Sequence, residues 1–320
     1  MNIALFGFGN VGRSFAKLLE KQRSVYPFRI VAVHTANHGT AYDLSGVGTD
    51  PRFGPRAASP GEFLDNAHAE VVIEITSLSP LDGEPAISHI RAAFARGLHV
   101  ITANKGPIAH AYRELRNEAA AGQLLFRFES TVMDGTPIFS MVRHSLPGVT
   151  IKGFAGVLNS TTQIVLEQMR QGSSLAQAVA LAQKMGIAET DPSYVIDGWD
   201  SAAKAAALAN VLMDAGVTPL EVKREGIGGL TPQRLAEIEG ASNTVAIVSR
   251  AIQTPTGISL TAGPEALDRN DPLARLQGAS NLLQIETDWM GTLGIAELHP
   301  TVEQTAYGLF SDLVDIARSI

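Results

Sequence analysis

The sequence predicts an α/β fold, a doubly wound parallel sheet followed by a second α+β domain. Three observations carry this. The chain opens on an apolar run, Asn2–Phe6, that leads into Gly7-Phe8-Gly9-Asn10-Val11-Gly12 and then an amphipathic helical pattern from Arg13 to about Glu20. Short apolar runs and helical patterns then alternate as far as Glu129, the rhythm of βαβ units. Beyond Pro137 that rhythm gives way to paired, β-branched strand material.

Asn2–Phe6 has the composition of a buried parallel strand. The glycines after it read G-x-G-x-x-G between strand and helix. Gly7 permits the tight turn, Gly9 lets the backbone approach a pyrophosphate, and Gly12 lets helix and strand pack closely. Phosphates would rest at the helix N-terminus beside Asn10 and Val11. This is a Rossmann-type fingerprint, against the plainer alternative of a glycine-rich turn in some other α/β protein. The second strand, Phe28–Val33, runs into His34-Thr35-Ala36-Asn37-His38. No acid stands there to bond a ribose 2′-OH, and no Arg to grip a 2′-phosphate. Without a repelling carboxylate the cofactor reading leans to NADP over NAD. His34 and His38 are candidates for phosphate contact, or else surface histidines.

Gly39–Pro60 reads as loop with room for one short helix. Strand Glu70–Ile75 follows, with Thr76 and Ser77 just past its carboxyl end, then helix Gly83–Arg96 and strand His99–Ile101. Thr102-Ala103-Asn104-Lys105-Gly106-Pro107 comes next. Ligands of open α/β sheets bind outside the carboxyl ends of the strands, so Thr76, Ser77, Asn104 and Lys105 face the expected cofactor cleft. The alternative for Lys105 is a surface lysine in a loop. A helix from about Ala109 to Ala121 and strand Gln123–Glu129 complete the alternation. Residues 1–136, with a C-terminal amphipathic helix at about 302–320, are expected to form the dinucleotide-binding domain.

Residues 137–301 are expected to bind substrate and to dimerise. Strand Thr150–Val157 is followed by helices Ser160–Gln171 and Ser174–Met185 and a loop holding Glu189 and Asp191. Val222–Gly226 and Asn243–Ile258 read as antiparallel strand material, and Asn281–Asp288 with Thr292–Ala296 as a further pair. An exposed sheet face of this kind is a common oligomerisation surface, which predicts a homodimer.

Within Asp200–Leu208, Asp200 and Lys204 stand four apart among Ala202, Ala203, Ala205, Ala206 and Ala207. Alanine favours helix, and residues at i and i+4 share a face. A solvated ion pair is the plain reading. The small apolar flanks predict a buried helix instead, where an acid and a lysine are costly without a purpose.

The chain has 320 residues, 45% hydrophobic and 18% charged, with net charge −7 from 25 basic and 32 acidic residues. That is a globular profile with room for two domains. No dense basic cluster points to nucleic acid or an anionic membrane. The absence of cysteine excludes disulfides, thiol catalysis and cysteine-ligated metal, and fits a cytoplasmic protein. The N-terminus reads as a first strand, not a signal peptide, and no apolar run is long enough to span a membrane.

The chain resembles the homoserine dehydrogenase family over nearly its whole length. The resemblance rests on GFGNVG at Gly7–Gly12, DGEPAI at Asp82–Ile87, ITANKGP at Ile101–Pro107 and FES at Phe128–Ser130. It continues through GVLNSTT at Gly156–Thr162, AQKMGIAETDP at Ala182–Pro192, DGWDSAAK at Asp197–Lys204 and TPQRL at Thr231–Leu235. DPLARLQGASN at Asp271–Asn281 and TAYGLFSDL at Thr305–Leu313 complete it. The order and spacing together are specific. The chain ends about where the catalytic part of such enzymes ends, so neither an aspartate kinase nor an ACT domain is expected. The resemblance implies nicotinamide-dependent interconversion of homoserine and aspartate 4-semialdehyde. It implies Lys105 and Lys204 as the two active-site lysines, Glu189 on the substrate amino group, and Asp200 orienting Lys204 and binding substrate. Asn159, Thr161 and Thr162 would line the pocket, and a monovalent cation would bind near Glu129 and Val132.

The chemistry agrees with that reading. Alcohol oxidation needs an acceptor for the hydroxyl proton while hydride leaves to nicotinamide, and a lysine can accept it. Lys105 is the better-placed acid/base and Lys204 the clamp or relay. The sequence departs from the family at Met133-Asp134-Gly135, at Ser160 within Asn159-Ser160-Thr161-Thr162, at Val195 where an acid is usual, and at Glu297-Leu298-His299-Pro300-Thr301. Three readings follow: homoserine dehydrogenase itself, a dehydrogenase of the same build acting on another small hydroxy acid or aldehyde, and a non-catalytic dinucleotide-binding regulator. Lys105, Lys204, Asp200 and Glu189 together weigh against the last, since a sensor needs only the glycine loop.

Overall fold

The structure, a computed structural model, describes residues 1–79, 81–185 and 192–320. Two compact units result, Met1–Ser145 with Thr301–Ile320, and Leu146–Pro300. The first is built on a six-stranded sheet. Its elements are β1 (Asn2–Phe6), α1 (Asn10–Gln22), β2 (Arg29–Thr35), β3 (Gly39–Tyr42), α2 (Pro60–Ala67), β4 (Val71–Glu74) and α3 (Ala86–Phe94). β5 (His99–Thr102), α4 (Lys105–Ala121), β6 (Phe126–Arg127) and α5 (Phe139–Ser145) follow. Sheet order is β3-β2-β1-β4-β5-β6, with β1, β2, β4, β5 and β6 paired in parallel.

β1 is buried from Ile3 to Phe6, because a central parallel strand is covered on both faces. On α1 the buried residues are Gly12, Phe15, Ala16 and Leu19, one helical stripe. The C-terminal helix α11 (Val302–Ser319) belongs to this unit and presents Ala306, Leu309, Phe310, Leu313 and Ile316 to the same core.

The second unit holds β7 (Ile151–Val157), α6 (Ser160–Arg170), α7 (Leu175–Lys184), α8 (Ser193–Ile196) and α9 (Trp199–Met213). β8 (Lys223–Arg224), α10 (Pro232–Glu239), β9 (Asn243–Thr254), β10 (Gly257–Asp268), β11 (Asn281–Thr287) and β12 (Thr292–Glu297) complete it. Its sheet order is β12-β11-β7-β9-β10-β8. Val245 and Ile247 of β9 pack with Ile164, Val165, Leu166 and Met169 of α6, so helices cover one face. The other face carries a smaller cluster of Ala155, Val157, Val248 and Leu267.

Several expectations are corrected. The first sheet is mixed, because Gly39–Pro60 contains β3, antiparallel to β2. Asn243–Ile258 is antiparallel strand material as expected, and it continues past Ile258 as the return strand β10 of a long hairpin with β9. Within Val222–Gly226 only Lys223 and Arg224 are strand, and they pair with β10 in parallel. Gln123–Glu129 narrows to the two residues of β6. α4 begins at Lys105, four residues before the expected start, because Asn104 caps it and proline is tolerated in a first turn. Lys105 is thus a helical residue, not a loop lysine. The loop holding Glu189 and Asp191 lies outside the described residues. Among the described residues no helix is long and apolar enough to cross a membrane.

Candidate functional site

In the first unit Gly7, Gly9, His34, Thr76 and Ser77 of the expected cofactor residues line one cavity, while Asn10, Val11, Gly12, Asn104 and Lys105 are not among its lining residues. Gly7 has φ +97°, and a Cβ there would stand 2.6 Å from the Ile75 carbonyl oxygen, so only glycine makes this turn. At Gly12 a Cβ would come within 3.1 Å of Ile75 Cδ1, which is the close helix–strand packing expected. Gly9 differs: no atom lies within 4 Å of its would-be Cβ, so a side chain there would fill only the space in front of the loop. Gly9 is also the N-cap of α1 and has no side chain to bond the first-turn N–H groups of Asn10, Val11 and Gly12. Those donors and the helix dipole suit an anion.

The space in front of the loop is a cavity of about 440 Å³ lined by Gly7, Phe8, Gly9, His34, Thr35, Ala36, Asn37, His38, Arg56, Ile75, Thr76, Ser77, Pro85 and His89. The residues lining it therefore fit a dinucleotide. Sequence reasoning finds no arginine at the end of β2, yet the fold brings Arg56 there, because β3 turns the chain back along β2. His34 is buried, not a surface histidine, and its Nδ1 lies 2.9 Å from Thr40 Oγ1. Burial, reinforced by Arg56 and then His89, lowers its pKa, so its imidazole is neutral at pH 7.

Glu74 is fully buried at the end of β4 and sequence reasoning missed it. It accepts hydrogen bonds from Thr76 N at 3.1 Å, from the Thr76 hydroxyl, and from Thr102 Oγ1 at 3.4 Å. His89 Nδ1 lies 3.5 Å from the same carboxylate, and its ring stacks on Phe6 at 4.0 Å. An acid ending the apolar run Val71-Val72-Ile73 is the signal that could have found it. Asn104 Nδ2 donates to Thr76 O at 3.2 Å and Ser77 O at 3.5 Å, while its Oδ1 accepts from Gly106 N at 3.0 Å. Asn104 thus ties the cavity's Thr76–Ser77 rim to the start of α4, where Lys105 is the first helical residue and half-buried.

A second cluster forms in the other unit. α9 is buried along nearly its whole alanine face, as the flanking residues predict. Asp200 Oδ2 accepts from Asn159 Nδ2 at 2.7 Å and lies 3.6 Å from Lys204 Nζ. Both charged side chains are nearly closed off, at 10% and 14% exposure. Lys204 also donates to the Leu158 carbonyl. Asn159 works in two directions: its Oδ1 caps α6 by accepting from Thr162 N at 2.9 Å, and its amide holds Asp200. Thr162 Oγ1 donates back to Asn159 O, and Thr161 sits beside it, half-buried, in the first turn of α6. Asn159, Thr161, Thr162, Asp200 and Lys204 are therefore neighbours, while Glu189 lies outside the described residues.

Glu129 spends both carboxylate oxygens on the N–H groups of Phe139 and Ser140, each at 2.7 Å. Val132 is buried beside it. Among the described residues no group of three or more His, Asp or Glu could hold a metal ion.

Comparison with known proteins decides the family. Residues 137–314 match the model of homoserine dehydrogenase, and residues 7–129 match that of the homoserine dehydrogenase NAD binding domain. The chain belongs to the homoserine dehydrogenase family. It is 33% identical to an NAD(+)-dependent homoserine dehydrogenase of Pseudomonas canavaninivorans, over 99% of this chain and 96% of that one. It is 32% identical to a homoserine dehydrogenase of Methanocaldococcus jannaschii, covering 100% and 99%. Among solved structures it is similar to the Thermoplasma acidophilum homoserine dehydrogenase, with TM-score 0.86, 26% identity and 99% of each chain covered. A hyperthermophilic archaeal homoserine dehydrogenase in complex with NADPH gives TM-score 0.83 at 28% identity, covering 100% and 98%. Members of this family are oxidoreductases that use NAD or NADP.

Proposed function

We propose that this protein interconverts L-homoserine and L-aspartate 4-semialdehyde by hydride transfer with a nicotinamide dinucleotide. The observation that carries the reading is the buried Asn159–Asp200–Lys204 cluster in a chain of this family that also holds a dinucleotide cradle. Met1–Ser145 with Thr301–Ile320 serves as the cofactor unit and Leu146–Pro300 as the substrate unit. Gly7, Gly9, Gly12 and the N-terminus of α1 hold the pyrophosphate; His34, Thr76, Ser77 and Asn104 flank it.

A nicotinamide dinucleotide held by Gly7, Gly9, Gly12 and the N-terminus of α1 would supply the hydride acceptor for the alcohol carbon. Lys105 takes the hydroxyl proton and returns it in the reverse direction. Lys204, fixed by Asp200 and the Leu158 carbonyl, clamps the substrate oxygen. Glu189 receives the amino group, and Thr161 and Thr162 line the pocket. Wild-type protein assayed by nicotinamide absorbance against hydroxy acids and amino alcohols, with NAD and with NADP, tests the reading. Turnover of L-homoserine is expected, and its absence beside activity on another hydroxy acid would move the assignment to that substrate.

The bacterial relative is NAD(+)-dependent and the archaeal structure holds NADPH, so the chain's own residues must decide the cofactor. Arg56 and His38 line the cavity where β2 ends, with Thr35, Ala36 and Asn37 but no carboxylate. An arginine suits a 2′-phosphate, and this favours NADP. A monovalent cation near Glu129 and Val132 would have to use main-chain carbonyls, because the Glu129 side chain is engaged. A homodimer would form through Leu146–Pro300, where Ile252, Trp289, Met290 and Leu298 are exposed apolar side chains. A dimer mass by light scattering supports this, and a monomer at micromolar concentration rejects it.

A further inference from the structure

Tyr194 lies on α8, in the stretch before the Lys204 helix, and next to Val195, where the family usually has an acid. Its hydroxyl is fully enclosed and has no hydrogen-bond partner among the described residues. Buried hydroxyls are nearly always paired, and an unpaired one lowers stability, so this one calls for an explanation. Its surroundings supply one. Burial, then the nearby Asp200 carboxylate, push the phenol well above its ordinary pKa, while Arg224 opposes them. Tyr194 is therefore a neutral O–H group that can donate a hydrogen bond but cannot ionise. Arg224 is committed elsewhere: it stacks 3.8 Å over the Trp199 ring and donates to the Asp197 carbonyl. The hydroxyl thus sits on the short helix that packs against α9, the helix carrying Asp200 and Lys204, with no acceptor of its own among the described residues.

We propose that Tyr194 is a specificity-determining residue whose hydroxyl donates a hydrogen bond to an oxygen of the small polar substrate received at Asp200 and Lys204. A neutral donor stands where the family has a carboxylate one residue on. The phenol brings no negative charge to attract a substrate ammonium, and its O–H can bond a substrate oxygen. This rests on the proposed function in placing the substrate at Asp200 and Lys204. It goes beyond that reading in naming a contact that the family pattern does not supply.

The test compares wild type with Tyr194→Phe, which deletes only the hydroxyl. L-Homoserine and 3-amino-1-propanol, which lacks the carboxylate, serve as the two substrates. The expected result is a loss of kcat/KM on L-homoserine of roughly 10- to 100-fold, the scale of one hydrogen bond to a charged oxygen. Cofactor affinity should be unchanged, and Tm unchanged or higher because an unpaired buried group is gone. If the oxygen is the carboxylate, KM carries the loss and 3-amino-1-propanol shows none. If it is the reacting oxygen, kcat falls with both substrates. Unchanged kcat and KM on L-homoserine, with a raised Tm, would overturn the proposal and leave Tyr194 as an unsatisfied core residue. Should wild type ignore L-homoserine but oxidise another hydroxy acid, the functional reading fails by itself. The same comparison on that acid then stands in, where a lowered kcat/KM supports the contact and an unchanged one overturns it.

Discussion

Replacing Lys204 with Met removes the ammonium and keeps most of the stem, so it isolates the charge. In the folded protein that ammonium lies 3.6 Å from Asp200 Oδ2, and the two side chains are 14% and 10% exposed. Breaking a buried ion pair from one side costs about 3–5 kcal/mol, because the other charge is left uncompensated. Asp200 would not be left bare, since Asn159 Nδ2 still donates to it at 2.7 Å. That bond is present before and after the substitution, so it only tempers the uncompensated charge, and the loss should fall at the lower end of the range, about 3 kcal/mol. Adding Asp200→Asn should restore most of that loss, because the uncompensated charge goes while an amide oxygen remains for Asn159. Activity should not return, since neither side chain can then serve the reaction. The assay is denaturant unfolding followed by tryptophan fluorescence. Both tryptophans, Trp199 and Trp289, belong to Leu146–Pro300, so the signal reports this unit. Turnover is measured in parallel. Unchanged stability in Lys204→Met, or no recovery in the double variant, would refute the buried-pair reasoning.

Lys105→Ala should mainly lower kcat, by about 10²–10⁴-fold, with cofactor affinity intact; near-full kcat would remove it from proton transfer. Gly9→Val should abolish dinucleotide binding with no loss of Tm, because its side chain meets only the open cradle; fluorescence titration reads this. Arg56→Ala should weaken NADPH binding about 10-fold or more and spare NADH, with the NADPH effect shrinking as salt rises. Asp312 is held up at a pKa of about 8 from 3.8 by burial first and Glu129 second, so folding favours its protonated form. The stability it confers is complete below about pH 4 and is lost as pH rises to about 8. Asp312→Asn should flatten that decline in Tm, and an unaltered pH slope would refute it.

How much was legible depended on how local each signal was. β1, the glycine turn and α1 could be read because strand burial, positive φ and helix periodicity all act within a few residues. The Lys204 helix could be read because alanine flanks leave no solvated face. β3 could not: Gly-Thr-Ala-Tyr is too short to show alternation, and Gly39 is there because its would-be Cβ meets the Gly54 carbonyl at 2.1 Å. Arg56 was hidden with it, since only the β2–β3 pairing carries that residue to the cavity. The β9–β10 hairpin was cut short because its turn lacks an Asn-Gly or Asp-Gly signal.

The departures from the family do not all bear on what is bound. Met133 is buried in the core of the first unit. Asp134 takes a left-handed φ of +43° and accepts a hydrogen bond from Thr305 Oγ1 at 2.6 Å. It thereby fastens the neighbouring turn to α11, where a Cβ on Gly135 would strike the Gln304 carbonyl at 2.1 Å. These residues secure the C-terminal helix, so Asp134 is a poor candidate for a replacement acid. Ser160 likewise spends its hydroxyl on the Ala279 carbonyl at 2.6 Å and adds no free polar group. His299 is exposed at a φ of +59°. That leaves Val195 and its neighbour Tyr194, whose hydroxyl is enclosed and has no hydrogen-bond partner among the described residues. If Tyr194 donates to a substrate oxygen as proposed, a single oxygen atom removed from it is enough to expose the contact.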